Sequence, residues 1–321
     1  MKLDSALLRF LRVSKVLGVF PVQTLEDGSL QFSPYSPLTF LAIALPLAYT
    51  GAILCSFVFD VLLETHRLSY LLSIVPNALL TVISDLVIRI SSVLYTNELI
   101  QLVSIISDRR YGPAGGFVEQ FSWVVSTLFL TCFALYNGAT VGGDMYVEAG
   151  TGVVMASIWV TSSFLHDAAQ ICALGFILIF GKQVLSHYEG LCGEMLKLCK
   201  NNKPSLLFTA VANVESVEKV PGAGNVSSWF DPMEQLVHRF EKLQVAFGIF
   251  SSIGGTFVLA LVLDVATWLY CLACNVLFNQ YTSPSAFVLS LTVLGALLDI
   301  LVLVAIAELG QQMKNKVVWT N

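Results

Sequence analysis

Charge is what this sequence has least of. Only 12% of its 321 residues are Asp, Glu, Lys or Arg, while 56% are hydrophobic; an ordinary soluble domain carries about a quarter charged. That leaves too little polar surface to cover a water-soluble globule, and the apolar residues fall in long blocks, so composition points to a membrane chain. Enzyme motifs are missing too: there is no HExxH, no GxSxG and no pair of CxxC motifs. Gly175 to Lys182 imitates a phosphate-binding loop, but it has one residue too many between its glycines and lacks the Ser or Thr after the lysine. No run repeats arginine as a voltage sensor does, none resembles a potassium filter, and no repeat relates the two halves as in many transporters. The expectation is therefore no enzyme, no cofactor, no metal and no nucleic-acid partner.

Cysteine is equally uninformative as a scaffold. Cys55, Cys132, Cys172, Cys271 and Cys274 fall in or beside apolar runs, and Cys192 and Cys199 fall in a polar loop, an odd count of seven. That is no secreted disulfide framework. The lone CxxC, Cys271 to Cys274, reads as small packing residues. A cleavable leader is also not evident, because about 35 residues and a Pro-containing turn, Ser33 to Pro37, precede the first long apolar run.

What is present is a series of runs of membrane-crossing length. A helix needs about 20 apolar residues to cross the hydrocarbon core. Six runs qualify: 38–59, 70–95, 117–136, 152–180, 245–272 and 286–307. The expected architecture is an all-α integral membrane bundle of six spans. Residues 1–37 form an N-terminal tail, 38–180 spans one to four, 181–244 a polar loop, 245–307 spans five and six, and 308–321 a C-terminal tail. Lys and Arg set the orientation, since they concentrate in cytoplasmic loops. The N-terminal tail holds four, the second polar loop two, the 181–244 loop seven and the C-terminal tail two, against Arg67 alone in the alternate loops. Both ends are expected in the cytosol, with the lipid bilayer of the plasma membrane as partner. The Asn225-Val226-Ser227 sequon then lies inside and stays unglycosylated.

Two segments outside the spans carry structure of their own. Residues 7–17 are apolar with Arg9, Arg12 and Lys15 interspersed, a pattern for a helix lying on the inner leaflet or packed on the bundle. The 181–244 loop reads as two helical extensions into the cytosol around Pro221 to Asn225. The second is expected to start with Asp231 as N-cap and Pro232 at its first position.

Ionisable residues within spans cost about 2.5–3.5 kcal/mol each on insertion scales, so they mark interior or functional positions. Asp85 and Arg89, four apart, can pair on one helix face, and a structural ion pair is expected. Ser163, His166 and Gln170 lie within about 60° of arc, with Trp159 in the same arc and Asp167 about 40° beyond Ser163. Asp264 and Trp268 are four apart in the fifth span. Carboxylates beside indoles in an apolar cavity suit a small polar or aromatic ligand; interhelical hydrogen bonding uses the same residue types. The ligand-binding candidates are Trp159, Ser163, His166, Asp167, Gln170, Asp264 and Trp268. Asp299 in the sixth span reads as a packing or water-cavity residue.

The N-terminal run Leu7-Leu8-Arg9-Phe10-Leu11, then Leu17-Gly18-Val19-Phe20-Pro21-Val22, then Gly28-Ser29-Leu30-Gln31-Phe32-Ser33, resembles the opening of arthropod gustatory receptors. The layout is similar too, with short outer loops and a long cytoplasmic segment between spans four and five. The resemblance implies a chemosensory receptor that is itself a ligand-gated cation channel. It also implies a small-molecule tastant as ligand and a homo- or hetero-tetramer around a pore lined by a seventh helix. The chain departs from that family after Glu308 to Lys314: the seventh span and its Thr-Tyr and Gln-Phe signature are absent. The expectation is a truncated or incompletely predicted subunit, with no pore residue carried over. The alternative is a six-span secondary transporter coupled to protons or cations through Asp167, Asp264 and Asp299.

Overall fold

The computed structural model describes residues 5–24, 30–32, 68–107, 152–201, 227–278 and 286–318, with isolated helical positions between 37 and 51. The expected third span, most of the first, the middle of the 181–244 loop and Asn225 lie outside the described residues. Within them the chain is almost entirely helical. Helix α1 is Ser5–Val16, α2 Leu68–Leu94, α3 Thr96–Ile106, α4 Gly152–Asn201, α5 Ser227–Phe278 and α6 Ala286–Val318. Strands β1 (Val22–Thr24) and β2 (Leu30–Phe32) pair antiparallel, Gln23 opposite Gln31, a hairpin that the residue pattern did not announce.

Among the described residues, two helical stretches, Leu165–Leu198 of α4 and Met233–Thr267 of α5, are long and apolar enough to cross a membrane; a third qualifies if the bent α2–α3 pair counts as one span. The most apolar stretch of α4 is 89% buried and that of α5 only 39%, which makes α4 the central helix. Val245, Leu259 and Val262 on α5, with Val293, Leu297, Leu301 and Val304 on α6, are left uncovered. A broad uncovered apolar surface is unfavourable in water and at ease in lipid.

Helix α5 starts at Ser227, a turn before the expected Asp231 cap. Pro232 therefore falls in the second turn, where its missing N–H forgoes the bond ordinarily made to the Ser228 carbonyl, a modest loss so near a helix end. At the other end of α2 the chain bends by 68° into α3. Tyr95 leaves helical geometry (φ −92°, ψ 19°). Ser92 Oγ donates to the Ile88 carbonyl, and Thr96 Oγ1 to those of Ser92 and Val93, at 2.6–3.0 Å. Hydroxyls that back-bond to carbonyls three or four residues earlier compete with backbone N–H donors and bend helices.

The N-terminal segment is part of the core. Helix α1 buries Leu7 and Leu11 against the bundle while Arg12, Val13 and Val16 stay exposed. It ends in a Schellman motif: Val19 N–H donates to the Ser14 carbonyl and Gly18 N–H to that of Lys15, with Gly18 at φ 68°. That left-handed position suits glycine, which has no Cβ to clash. The turn delivers Phe20 among Phe10, Phe176 and Phe257, at ring separations of 5.9–6.0 Å. Gly175 on α4 makes room for this docking, since a Cβ there would meet the Phe10 ring at 2.7 Å.

Candidate functional site

A layer of polar side chains crosses the three packed helices α2, α4 and α5. It starts on α2 with Asp85 and Arg89, both 1% exposed. Arg89 Nε lies 2.9 and 3.0 Å from the two Asp85 oxygens. The rest of the guanidinium reaches backbone: Nη1 donates to the Leu17 and Gly18 carbonyls at 3.2 and 3.4 Å, and Nη2 to the Leu165 carbonyl at 2.6 Å. One buried cation thus ties α2 to the N-terminal turn and to α4. Burial of an arginine is tolerable when its fork of donors is matched in this way.

One residue beyond Leu165, His166 on α4 meets Asp264 on α5, with Nε2 3.0 Å from Oδ1. The carboxylate can only accept, so Nε2 carries the hydrogen, and in the neutral ring Nδ1 is an acceptor. Nδ1 is buried and has no hydrogen-bond partner among the described residues. Asp85 and Asp167 both lie within electrostatic reach of the imidazole. A turn further along α4, Gln170 Nε2 donates to Ser84 Oγ at 2.7 Å, and Ser84 in turn donates to the Ala260 carbonyl at 2.9 Å. That relay fixes the amide. Ser84 spends its only hydrogen on Ala260, so the Gln170 nitrogen must face Ser84 and its oxygen must face away. Gln170 Oε1 is buried and has no donor among the described residues.

Beside Gln170 and Asp264 lies a cavity of about 20 Å³, walled by Leu174, Leu261, Val265, Val302 and Leu303 from α4, α5 and α6. That is room for a single water-sized occupant. The structure therefore brings His166, Gln170 and Asp264 together and sets the Asp85–Arg89 pair in the same layer. Asp167 stands within it, 4% exposed. Trp159 and Ser163 lie two turns and one turn before His166 on α4, and Trp268 one turn after Asp264 on α5; their side chains, and that of Asp299, lie outside the described residues. Ser84 and the Leu17, Gly18 and Ala260 carbonyls belong to the layer as well. Nothing in the residue pattern marks them, because a serine in an apolar helix is ordinarily packing and a carbonyl has no identity in sequence.

Farther along α4 and α5, Arg239 Nη1 lies 2.7 Å from Glu194 Oε2, and the Tyr188 and Phe240 rings meet edge to face at 5.7 Å. These contacts hold the two long helices together well beyond the polar layer.

Compared with protein-family models and with curated proteins, the sequence finds no match.

Proposed function

We propose that this chain is a gustatory-receptor-like chemosensory protein of the plasma membrane, a subunit of a tastant-gated cation channel built on a six-span bundle with both termini in the cytosol. The observation that carries the reading is the buried polar layer. An imidazole, an amide and three carboxylates are gathered between helices whose outer faces are apolar. In a chain with no enzyme motif, such residues are retained against their insertion cost either to bind a ligand or to carry ions. The resemblance of the N-terminal run adds support, since its Gly18 and Phe20 hold defined places in the core rather than forming a loose tail.

The test is expression of the full chain together with a complete seven-span channel subunit of the kind the resemblance implies, in cells without other chemoreceptors, with calcium imaging and whole-cell recording against a panel of sugars, bitter compounds, amino acids and carbon dioxide, the partner subunit alone serving as control. A ligand-evoked cation current that does not depend on a proton gradient is expected, weakened by Trp268→Ala and Asp167→Ala. Uptake that depends on a proton gradient and is lost in Asp167→Asn would instead establish the carrier reading. Glycosylation of Asn225, or an outside location of a tag placed within 181–244, would overturn the assigned polarity.

A further inference from the structure

Helix α1 has two faces, and the bundle uses only one of them. Leu7, Leu11 and Ser14 are buried, and the Phe10 ring seats over Gly175 and lies 6.2 Å from that of Phe180. The opposite face carries, in order around the helix, Lys15, Arg12, Val16 and Val13, within about 160° of arc at 3.6 residues per turn. Arg12 is exposed, Val13 and Val16 are 48% and 69% exposed, and Lys15 is half-buried. The Arg9 position falls inside the same arc, and α1 has no acidic residue anywhere. Neither Arg12 nor Lys15 has an ion-pair partner among the described residues.

That composition selects its surroundings. Uncovered valines gain from an apolar neighbour, and unpaired cations gain from anions beside it. Both lie side by side at the edge of a bilayer, where acyl chains give way to phosphates. The position of α1 agrees, since its Phe10 contacts fall in the last turns of the apolar run 152–180, directly before the exposed Lys182. At its other end the Leu17 and Gly18 carbonyls are fastened by Arg89. The cationic face is therefore preorganised, and no ordering of the helix is needed on binding. Lys and Arg stems lie along apolar surface while their charged heads reach outward.

We propose that this face of α1 binds the headgroups of anionic phospholipids, with Arg12 and Lys15 on the phosphates and Val13 and Val16 against the adjoining acyl carbons. In the polarity proposed above this is the cytoplasmic leaflet. The contact itself rests on the packing of α1 and depends neither on that polarity nor on the receptor reading.

The purified full chain in mild detergent micelles is titrated with phosphatidylserine while its unfolding midpoint is followed. Phosphatidylcholine is the zwitterionic control, and glycerophosphoserine supplies the same headgroup without acyl chains. A saturable rise is expected with phosphatidylserine alone, weakened by added salt. Arg12→Gln/Lys15→Gln should weaken the apparent affinity about fivefold for each charge lost, about thirtyfold together, and Arg12→Lys/Lys15→Arg should retain it. Lys197→Gln/Lys242→Gln removes the same charge from exposed positions on α4 and α5, and should respond as the native chain does. No rise with phosphatidylserine, an equal rise with phosphatidylcholine or glycerophosphoserine, or equal losses in the two glutamine variants would each overturn the proposal. A phosphatidylserine response in a chain whose Asn225 is glycosylated would sink the assigned polarity and leave the lipid face standing.

Discussion

Arg89→Met is the substitution on which the packing argument is most exposed. The native guanidinium is 1% accessible and is matched by the Asp85 carboxylate and three backbone carbonyls. Methionine has comparable length and no donor, so the change strands a carboxylate in an apolar interior. Breaking one side of a buried pair costs about 3–5 kcal/mol. The upper part of that range is expected, because the Leu17 and Gly18 carbonyls lose their side-chain donor at the same time. For a chain of this size each kcal/mol moves the midpoint by about 2–4 °C, so about 4–5 kcal/mol should make the variant unfold roughly 8–20 °C early. Intrinsic tryptophan fluorescence in nanodiscs measures this. Limited trypsin digestion supplies the local readout, since release of the N-terminal turn should speed cleavage after Arg12 and Lys15. The double variant Asp85→Leu/Arg89→Met removes the stranded charge and should recover at least half of the lost stability, because a buried pair replaced by apolar groups is often neutral. A double variant no better than Arg89→Met, or an Arg89→Met protein that melts with the native one and resists trypsin equally, would refute the role assigned to this cation.

Three further outcomes follow from the packing. Gly18→Ala forces a Cβ into a left-handed residue and should lower the unfolding free energy by about 1–2 kcal/mol, read as an earlier melting midpoint, with Gly18→Asn milder. Gly175→Leu places a side chain where the Phe10 ring already sits, and should both lower the unfolding free energy by about 1–3 kcal/mol and expose α1 to protease; normal protection would show that α1 is not docked there. Ser84→Ala removes the hydroxyl between Gln170 and Ala260 and should destabilise by about 1–3 kcal/mol through the stranded Gln170 amide hydrogen, whereas Ser84→Thr should be closer to native if the extra methyl is accommodated; equal losses in both would show that packing rather than the relay matters.

Much of the scaffold was legible because it rests on length and local chemistry. The apolar run 70–95 becomes Leu68–Leu94, and the acid and base four apart at 85 and 89 meet as helix geometry requires. Partners distant in sequence were not legible. His166 and Asp264 were placed on separate helices by their runs, but their contact spans 98 positions and depends on how α4 and α5 rotate against one another. Arg89 was read as half of an ion pair, whereas most of its bonds go to backbone at Leu17, Gly18 and Leu165. The hairpin escaped notice because three-residue strands are too short to show alternation. The start of α5 was misplaced because Asp231-Pro232 is a strong local stop-and-start signal, and a longer helix overrode it.

Helices α4 and α5 run 50 and 52 residues without interruption. At 1.5 Å per residue each is about 75 Å long, more than twice the roughly 30 Å of hydrocarbon that a bilayer presents. Joined near the polar layer by His166 and Asp264, and again farther along by Glu194 and Arg239, they form one stiff paired lever with its fulcrum at the polar layer. A tilt of about 5° at the fulcrum would carry a tip some 40 Å away through about 3–4 Å. A small rearrangement at the His166–Asp264 contact is therefore carried to the far helical ends as a displacement of several ångströms.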